Sequence, residues 1–407
     1  MTALVDLKAI YLRTLEACAP ENLVKRVLRP DLPRAVVAVG KCGGALLDGL
    51  ADFDEALAAI PDGYRAPRWR GRALTGTHKR DRHRHAEVVR GGHPEITAAS
   101  FAAGQALIQF VEKHEDVLFL ISGGGSACAE VPLAPWFDER DVIETNARLI
   151  AAGLAIGEIN CVRKHLSAIK GGRLAGRVRG RSVTLVYSDV SIGALADVAS
   201  GPTLPDATTK DNAIAILQRI GECDAIVTRL RDPRCPDTVH QIANSRAELI
   251  ADNTTLTRAA TEIAASMGWV PKRLEEQIEM DVESAAQALA ARARDLRDGE
   301  VLIAGGEPTV IRRGDGRGGR CSELAVRLAL IVGDRRLVAL FGSSDGVDGN
   351  SGAAAIVVSL PARLDRRAAE DELARSNAFA VAESIGEAIT MVPTGNNLRD
   401  LYLLARS

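Results

Sequence analysis

The chain has 407 residues, 46% hydrophobic but only 3% aromatic, and its 51 Lys+Arg against 53 Asp+Glu give a formal charge of −2. That length exceeds what a single core usually sustains and predicts two domains, residues 1–236 and 237–407. The even charge gives no electrostatic reason to expect nucleic acid, whose backbone demands a clustered basic surface, and the longest apolar runs are strand-sized, far short of the ~20 residues that cross a bilayer.

In chain order, Leu4 to Ala17 carries apolar residues at helical spacing and is followed by a second short helix to about Leu28. Asp6, Lys8, Arg13 and Glu16 interrupt any leader-like apolar core, so the expected location is cytoplasmic. Ala35–Val39, Val117–Ile121 and Val183–Tyr187 are continuous apolar runs, the mark of strands covered on both faces in a largely parallel sheet. Helical stretches at Ala98–His114 and Asp141–Ile156 separate them. Between Thr77 and His85 three histidines stand among basic residues that would repel a cation, which reads as a solvated loop rather than a metal site. Asp232-Pro233-Arg234-Cys235-Pro236 has the composition of a linker. Beyond it come strands at Glu248–Ile250, Val301–Ile303, Leu337–Leu340, Ala354–Ser359 and Ile389–Val392, with helices at Val282–Arg297 and from Cys321 to about Val332. The fold class is therefore α/β: two three-layer α/β/α domains with largely parallel sheets. The seven cysteines form no C-x-x-C pair and read as reduced thiols.

Strand-to-glycine transitions mark the ligand edge of an open α/β sheet. Ser122-Gly123-Gly124-Gly125-Ser126 can turn backbone N–H groups toward an anion, or can be a tight turn with no ligand. Lys41, between a strand and a glycine pair, offers a cation to a phosphoryl group or a snorkelling surface charge. Gly305-Gly306-Glu307 and the loop Gly314 to Arg320, with Arg317 inside it, are two further turns of this kind. The second contains G-x-G-x-x-G, but its arginines suit a polyphosphate better than a nicotinamide ribose. Asp189, Asp345 and Asp348 end strands as carboxylates suited to Mg²⁺, or as turn and cap residues. No Walker A lysine loop and no kinase H-R-D or D-F-G set is present.

Gly91-Gly92-His93-Pro94, Leu120 to Ser126, the eighteen residues Glu158 to Ala175, Ser200-Gly201-Pro202-Thr203, Gly305 to Thr309 and Pro393-Thr394-Gly395-Asn396 together resemble the glycerate 2-kinase family. Its members have also been labelled hydroxypyruvate reductases, and its C-terminal half is called the MOFRL domain. The resemblance implies two α/β domains with an interdomain cleft, and transfer of the ATP γ-phosphoryl to the 2-hydroxyl of D-glycerate with Mg²⁺. It makes Lys41 and Arg320 the residues of phosphoryl transfer. It brings the Ser122–Ser126 turn, Asn160, Arg163, His165 and Asp189 into or near the site, with Gly305, Gly306, Glu307 and Arg317 binding phosphate, nucleotide or substrate. Asp189 is the first candidate for a catalytic base or a water-mediated metal ligand, and Asp345 is the second candidate for the metal.

Three departures stand out: Ser191-Ile192-Gly193-Ala194-Leu195-Ala196-Asp197 replaces the family's Pro-Gly-Asp-Asp, Arg320-Cys321-Ser322-Glu323 replaces Arg-Asn-Gln-Glu, and Ser344-Asp345-Gly346 replaces Thr-Asp-Gly. The expected partners are ATP and a small hydroxy acid, with neither nucleic acid nor membrane, and the sequence leaves a homo-oligomer open. Two other readings remain at this level, an NAD(P)H-dependent hydroxypyruvate reductase and a non-catalytic sugar-acid or nucleotide-binding homologue. Lys41 and Arg320 are further expected to be unpaired cations whose removal leaves stability unchanged.

Overall fold

The computed structural model describes residues 3–68, 85–190, 195–221 and 223–406. Residues 77–84 of the histidine-rich patch and residues 191–194 after Asp189 lie outside these. The chain forms two compact units, residues 20–250 and residues 1–19 with 251–407.

In the first unit the strands are β1 (Ala35–Val39), β2 (Glu55–Pro61), β3 (His85–Gly91), β4 (Val117–Ser122), β5 (Ser182–Tyr187) and β6 (Ser245–Ala251), side by side in the order β3-β2-β1-β4-β5-β6. The pairings from β1 to β5 are all parallel. Every residue of β1, β4 and β5 is buried because both faces are covered, which is why these runs lack alternation. Val37, Val39, Phe119 and Ile121 share a core with Leu107 and Val111 of the helix Ala98–Lys113 and with Val162 and Leu166 of the helix Ile156–Leu166. On the opposite face the short helix Gly43–Asp48 packs on β1, β2 and β4.

The second unit holds β7 (Val270–Arg273), β8 (Glu300–Gly306), β9 (Leu337–Ser343), β10 (Ala355–Leu360), β11 (Gly386–Ile389) and β12 (Asp400–Ala405), in the order β11-β10-β9-β12-β8-β7. Four strands run one way and β10 and β12 run against them, so only β7 pairs parallel and the other four pairings are antiparallel. The C-terminal strand β12 inserts between β8 and β9, which keep the common direction of a β-helix-β crossover without touching. Leu302, Ala304, Phe341, Tyr402 and Leu404 pack under the helices Val282–Ala293 and Arg320–Val332. The other face carries the helix Asn253–Ser266 and the N-terminal helix Ala3–Ala17, whose Tyr11 hydroxyl donates to the Ser343 carbonyl at 2.6 Å.

The α/β class holds, and five differences from the sequence reading appear. The second sheet is mixed rather than largely parallel in its pairings, because β12 arrives from outside the crossover order. Residues 232–236 belong inside the first unit, where Cys235 is buried and the Pro236 carbonyl accepts from Arg173, so the expected boundary at 236 gives way to one near residue 250. The N-terminal helix belongs to the second unit, a long-range docking that no local pattern reports. The stretch Asp141–Ile156 is two helices, Glu139–Ala151 and one beginning at Ile156, parted where Gly153 turns at φ 65°. The strand expected at Ile389–Val392 instead ends at Ile389.

Candidate active site

In the first unit three strand ends meet at one turn. β4 ends in Ser122, whose hydroxyl accepts from the Cys42 N–H at 3.0 Å and donates to the Val39 carbonyl at 3.2 Å, tying the ends of β1 and β4 together. Lys41 N–H donates to the Gly123 carbonyl at 2.8 Å. The two following glycines are each required by a side chain. A Cβ on Gly123 would stand 1.6 Å from Asp189 Oδ2, and one on Gly124, already at φ 80°, would stand 2.7 Å from Lys41 Cγ. The Asp189 carboxylate and the Lys41 stem therefore lie on consecutive residues of the same turn, in van der Waals reach of its backbone. Lys41 forms no ion pair among the described residues.

From this turn a polar chain runs inward. Ser126 and Ser200 share a hydrogen bond at 2.8 Å, Ser200 donates to Asn160 Oδ1 at 2.8 Å, and Asn160 Nδ2 donates to the Asp197 carbonyl at 3.4 Å. Ser200 has a positive φ of 59°, an unfavourable backbone for a serine, held by this network. One turn on, Lys164 bridges Asp197 at 3.0 Å and Asp206 at 3.1 Å. Arg163 is half-buried, its Nε held by Asn146 Oδ1 at 2.7 Å, and burial lowers its pKa. His165 is apart from the turn: fully buried, it lies 2.7 Å from the Cys161 carbonyl and 2.9 Å from Asp237 Oδ1, bracing its helix against the segment before β6.

The second unit arranges its residues differently. Arg320 opens the helix Arg320–Val332 and grips the fully buried Asp400 through Nε at 2.9 Å and Nη2 at 3.3 Å, while Nη1 reaches Glu307 at 2.9 Å. Burial alone would lower the Arg320 pKa, but Asp400 and then Glu307 reverse this and hold it above the ordinary arginine value. Arg399 also reaches Glu307, at 3.5 Å. Arg320 is thus a paired cation, which overturns the expectation of an unpaired one. Gly305 and Gly306 are close-packing positions, the first against Asn253 Oδ1 and the second against the Ile278 backbone. Arg317 is spent on the Ser351 carbonyl and stacks 5.1 Å from the Phe379 ring centre. Its glycine loop follows no buried strand and packs on residues 348–350 and 375–377, which removes the dinucleotide fingerprint. Asp348 accepts from the Cys321 and Ser322 N–H groups at 2.9 and 3.0 Å as a helix cap, its carboxyl pushed up by burial. Asp345 accepts from Ser343 Oγ at 2.8 Å and from the Val347 N–H at 2.9 Å.

A family model described as a domain of unknown function (DUF4147) matches residues 6–232, and one described as the MOFRL family matches residues 300–400. The chain is 34% identical to the glycerate 2-kinase of Sulfurisphaera tokodaii over 78% of its own length and 79% of that protein. It is 30% identical to the D-glycerate 2-kinase of Thermotoga maritima over 97% and 96%. The chain belongs to the glycerate 2-kinase family. The crystal structure of glycerate kinase from Thermotoga maritima superposes with a TM-score of 0.82 at 26% identity, covering 99% of each chain. A relative from Agrobacterium vitis, 31% identical over 77% of this chain and 76% of its own, is provisionally named a hydroxypyruvate reductase.

Sequence reasoning had quoted His93 and Ser200 within the glycerate 2-kinase blocks without giving either a role. It passed over Tyr64, Asn146 and Asp400 entirely, since each is a solitary residue with no motif of its own. No group of three His, Cys, Asp or Glu residues suited to a metal exists among the described residues, and no described helix is long and apolar enough to cross a membrane.

Proposed function

We propose that this chain is an ATP-dependent kinase that transfers the γ-phosphoryl group to the 2-hydroxyl of D-glycerate, giving 2-phosphoglycerate. The observation that carries the reading is the turn at Gly123 and Gly124, flanked by one cationic and one anionic side chain at the carboxyl edge of a parallel sheet. Phosphoryl transfer asks little covalent chemistry of a protein and much positioning and charge neutralisation. Lys41 supplies a charge that forms no ion pair with a carboxylate among the described residues. Arg320 supplies a guanidinium whose fork is already fixed by Asp400 and Glu307, so orienting it costs nothing during the reaction. Asn160 and Ser200 hold Ser126 in place, and Arg163, anchored through Nε, offers a second guanidinium to an anionic group of the substrate.

Mg²⁺ fits the donor set at this turn. It commonly takes one or two protein carboxylates and completes its shell with water and substrate phosphates, so a carboxylate held against the glycine turn, without a closed three-ligand cage, suits it. Asp189 would hold it, and the ion would supply neutralisation of the phosphate oxygens. In this reading His165, Gly305, Gly306 and Arg317 act as structural supports through the contacts they already make.

The test is to follow ADP release with Mg-ATP and D-glycerate and to identify the product by ³¹P NMR, alongside NADH or NADPH oxidation with hydroxypyruvate. A 2-phosphoglycerate signal that needs both substrates supports the reading. ADP release independent of any hydroxy acid, or reduced cofactor consumed instead, refutes it.

A further inference from the structure

Beside Lys41 stands a pair of rings that the reaction outlined above does not use. Lys41 Nζ lies 5.7 Å from the centre of the Tyr64 ring, and that ring meets the His93 imidazole edge-on, 6.2 Å between centres with 74° between planes. We propose that Tyr64, braced by His93, is a positioning residue that fixes the Lys41 ammonium for phosphoryl transfer. The inference rests on the kinase reading only for what Lys41 then does.

A lysine head on a four-carbon stem has many rotamers, and fixing it has an entropic cost that some partner must offset. Here the stem is pressed on Gly124, but no carboxylate among the described residues takes the head. A carboxylate would fix the ammonium by cancelling the charge a phosphoryl group needs. An aromatic face attracts the cation through its quadrupole and leaves the net charge intact. That difference makes an aromatic partner the better device for a lysine that must stay electropositive.

Tyr64 is itself built in. Its N–H donates to the Pro61 carbonyl at 3.3 Å, closing a turn directly after β2. From β3, Arg90 donates Nη1 to the carbonyls of Pro61 at 3.2 Å and Tyr64 at 3.3 Å, and Nη2 to Tyr64 again at 3.3 Å. The following residues close down on Gly44, where a Cβ would stand 2.2 Å from the Arg65 carbonyl oxygen. Three contacts from two other elements thus hold a half-buried tyrosine over the lysine. The His93 imidazole, lowered to about 4 by burial first and by Lys41 second, is neutral at physiological pH and adds no repulsion.

The experiment compares Tyr64→Leu and Tyr64→Phe in the wild-type and Lys41→Met backgrounds, reading kcat, KM for ATP and thermal midpoint. Tyr64→Leu should lower kcat roughly 5- to 30-fold with KM within about twofold, whereas Tyr64→Phe, which keeps the π face, should stay within about threefold. In the Lys41→Met background Tyr64→Leu should cost nothing further. An equal loss in that background, or a Phe variant as poor as the Leu variant, would overturn the proposal; Tyr64→Gln replaces the Leu variant if that one fails to fold. A readout independent of activity separates this from failure of the kinase reading. After reductive ¹³C-methylation, which keeps the charge, the NMR signal missing in Lys41→Met should move in Tyr64→Leu and hold in Tyr64→Phe. A signal unmoved in Tyr64→Leu refutes the contact whatever the reaction proves to be.

Discussion

Lys41 and Arg320 carry the same formal charge and the same proposed task, yet the two units hold them in opposite ways. Lys41 leans on glycine backbone and an aromatic face and forms no ion pair among the described residues. Arg320 is clamped by a fully buried aspartate and a part-exposed glutamate. The first arrangement keeps a full point charge steadied by a ring face; the second gives a rigid fork with much of its charge already balanced. A cation can thus be prepared for catalysis through its surroundings or through its partners, and only the second way makes it part of the fold.

The largest effect expected from this contrast is on stability at Arg320. Arg320→Met leaves the buried Asp400 with the Tyr402 hydroxyl but without its ion-pair partner, and breaking a buried pair typically costs about 3–5 kcal/mol. The thermal midpoint should fall sharply, and adding Asp400→Asn should recover part of it. A midpoint unchanged in Arg320→Met would show that the pair contributes nothing to folding.

Lys41→Met should do the reverse. Its kcat should fall roughly 10²–10³-fold, the range for loss of a preorganised electrostatic group, with the midpoint within a degree or two of wild type. A large fall in midpoint at Lys41 would erase the distinction between the two cations.

Gly123→Ala sharpens the same comparison without touching either cation. The added methyl would occupy the place of Asp189 Oδ2, so the carboxylate must move by an ångström or more, a displacement able to cost about 10² in rate. Titrating Mg²⁺ in this variant should show half-maximal rate reached only at a higher concentration of the ion; wild-type rate and metal dependence would remove Asp189 from the site.

The smallest effect is a titration. His93 should show a pKa of about 4 by NMR. In Lys41→Met it should rise but stay below its ordinary 6.5, because burial, the larger cause, remains. The sign follows from linkage: an unfolded chain binds this proton more readily, so the contribution of His93 to stability is present above pH 6.5 and is lost as the pH falls toward 4. A His93 pKa identical in wild type and Lys41→Met would place Lys41 too far away for either proposal.

What was legible in the sequence was whatever repeats along the chain. Continuous apolar runs gave β1, β4, β5, β8 and β9, since strands covered on both faces have no polar side to interrupt them. β3 and β7 escaped notice because edge strands carry mixed residues, His85–Gly91 and Val270–Arg273. β2 and β12 are hidden for another reason: their apolar residues are mostly alanines and leucines that read equally well as helix.

The sequence by itself determined the α/β class, the glycine turns at strand ends and the block likeness that carries the family, because periodicity and contiguous motifs are local properties. Only the tertiary structure decided which charges are partnered. Asp400 meets Arg320 across 80 residues, Tyr64 meets Lys41 by the folding of a turn onto a helix, and the N-terminal helix joins the second unit from the far end of the chain. Each of these is a contact whose free energy comes from burial and charge in three dimensions, and neither partner's neighbours in sequence carry any trace of it.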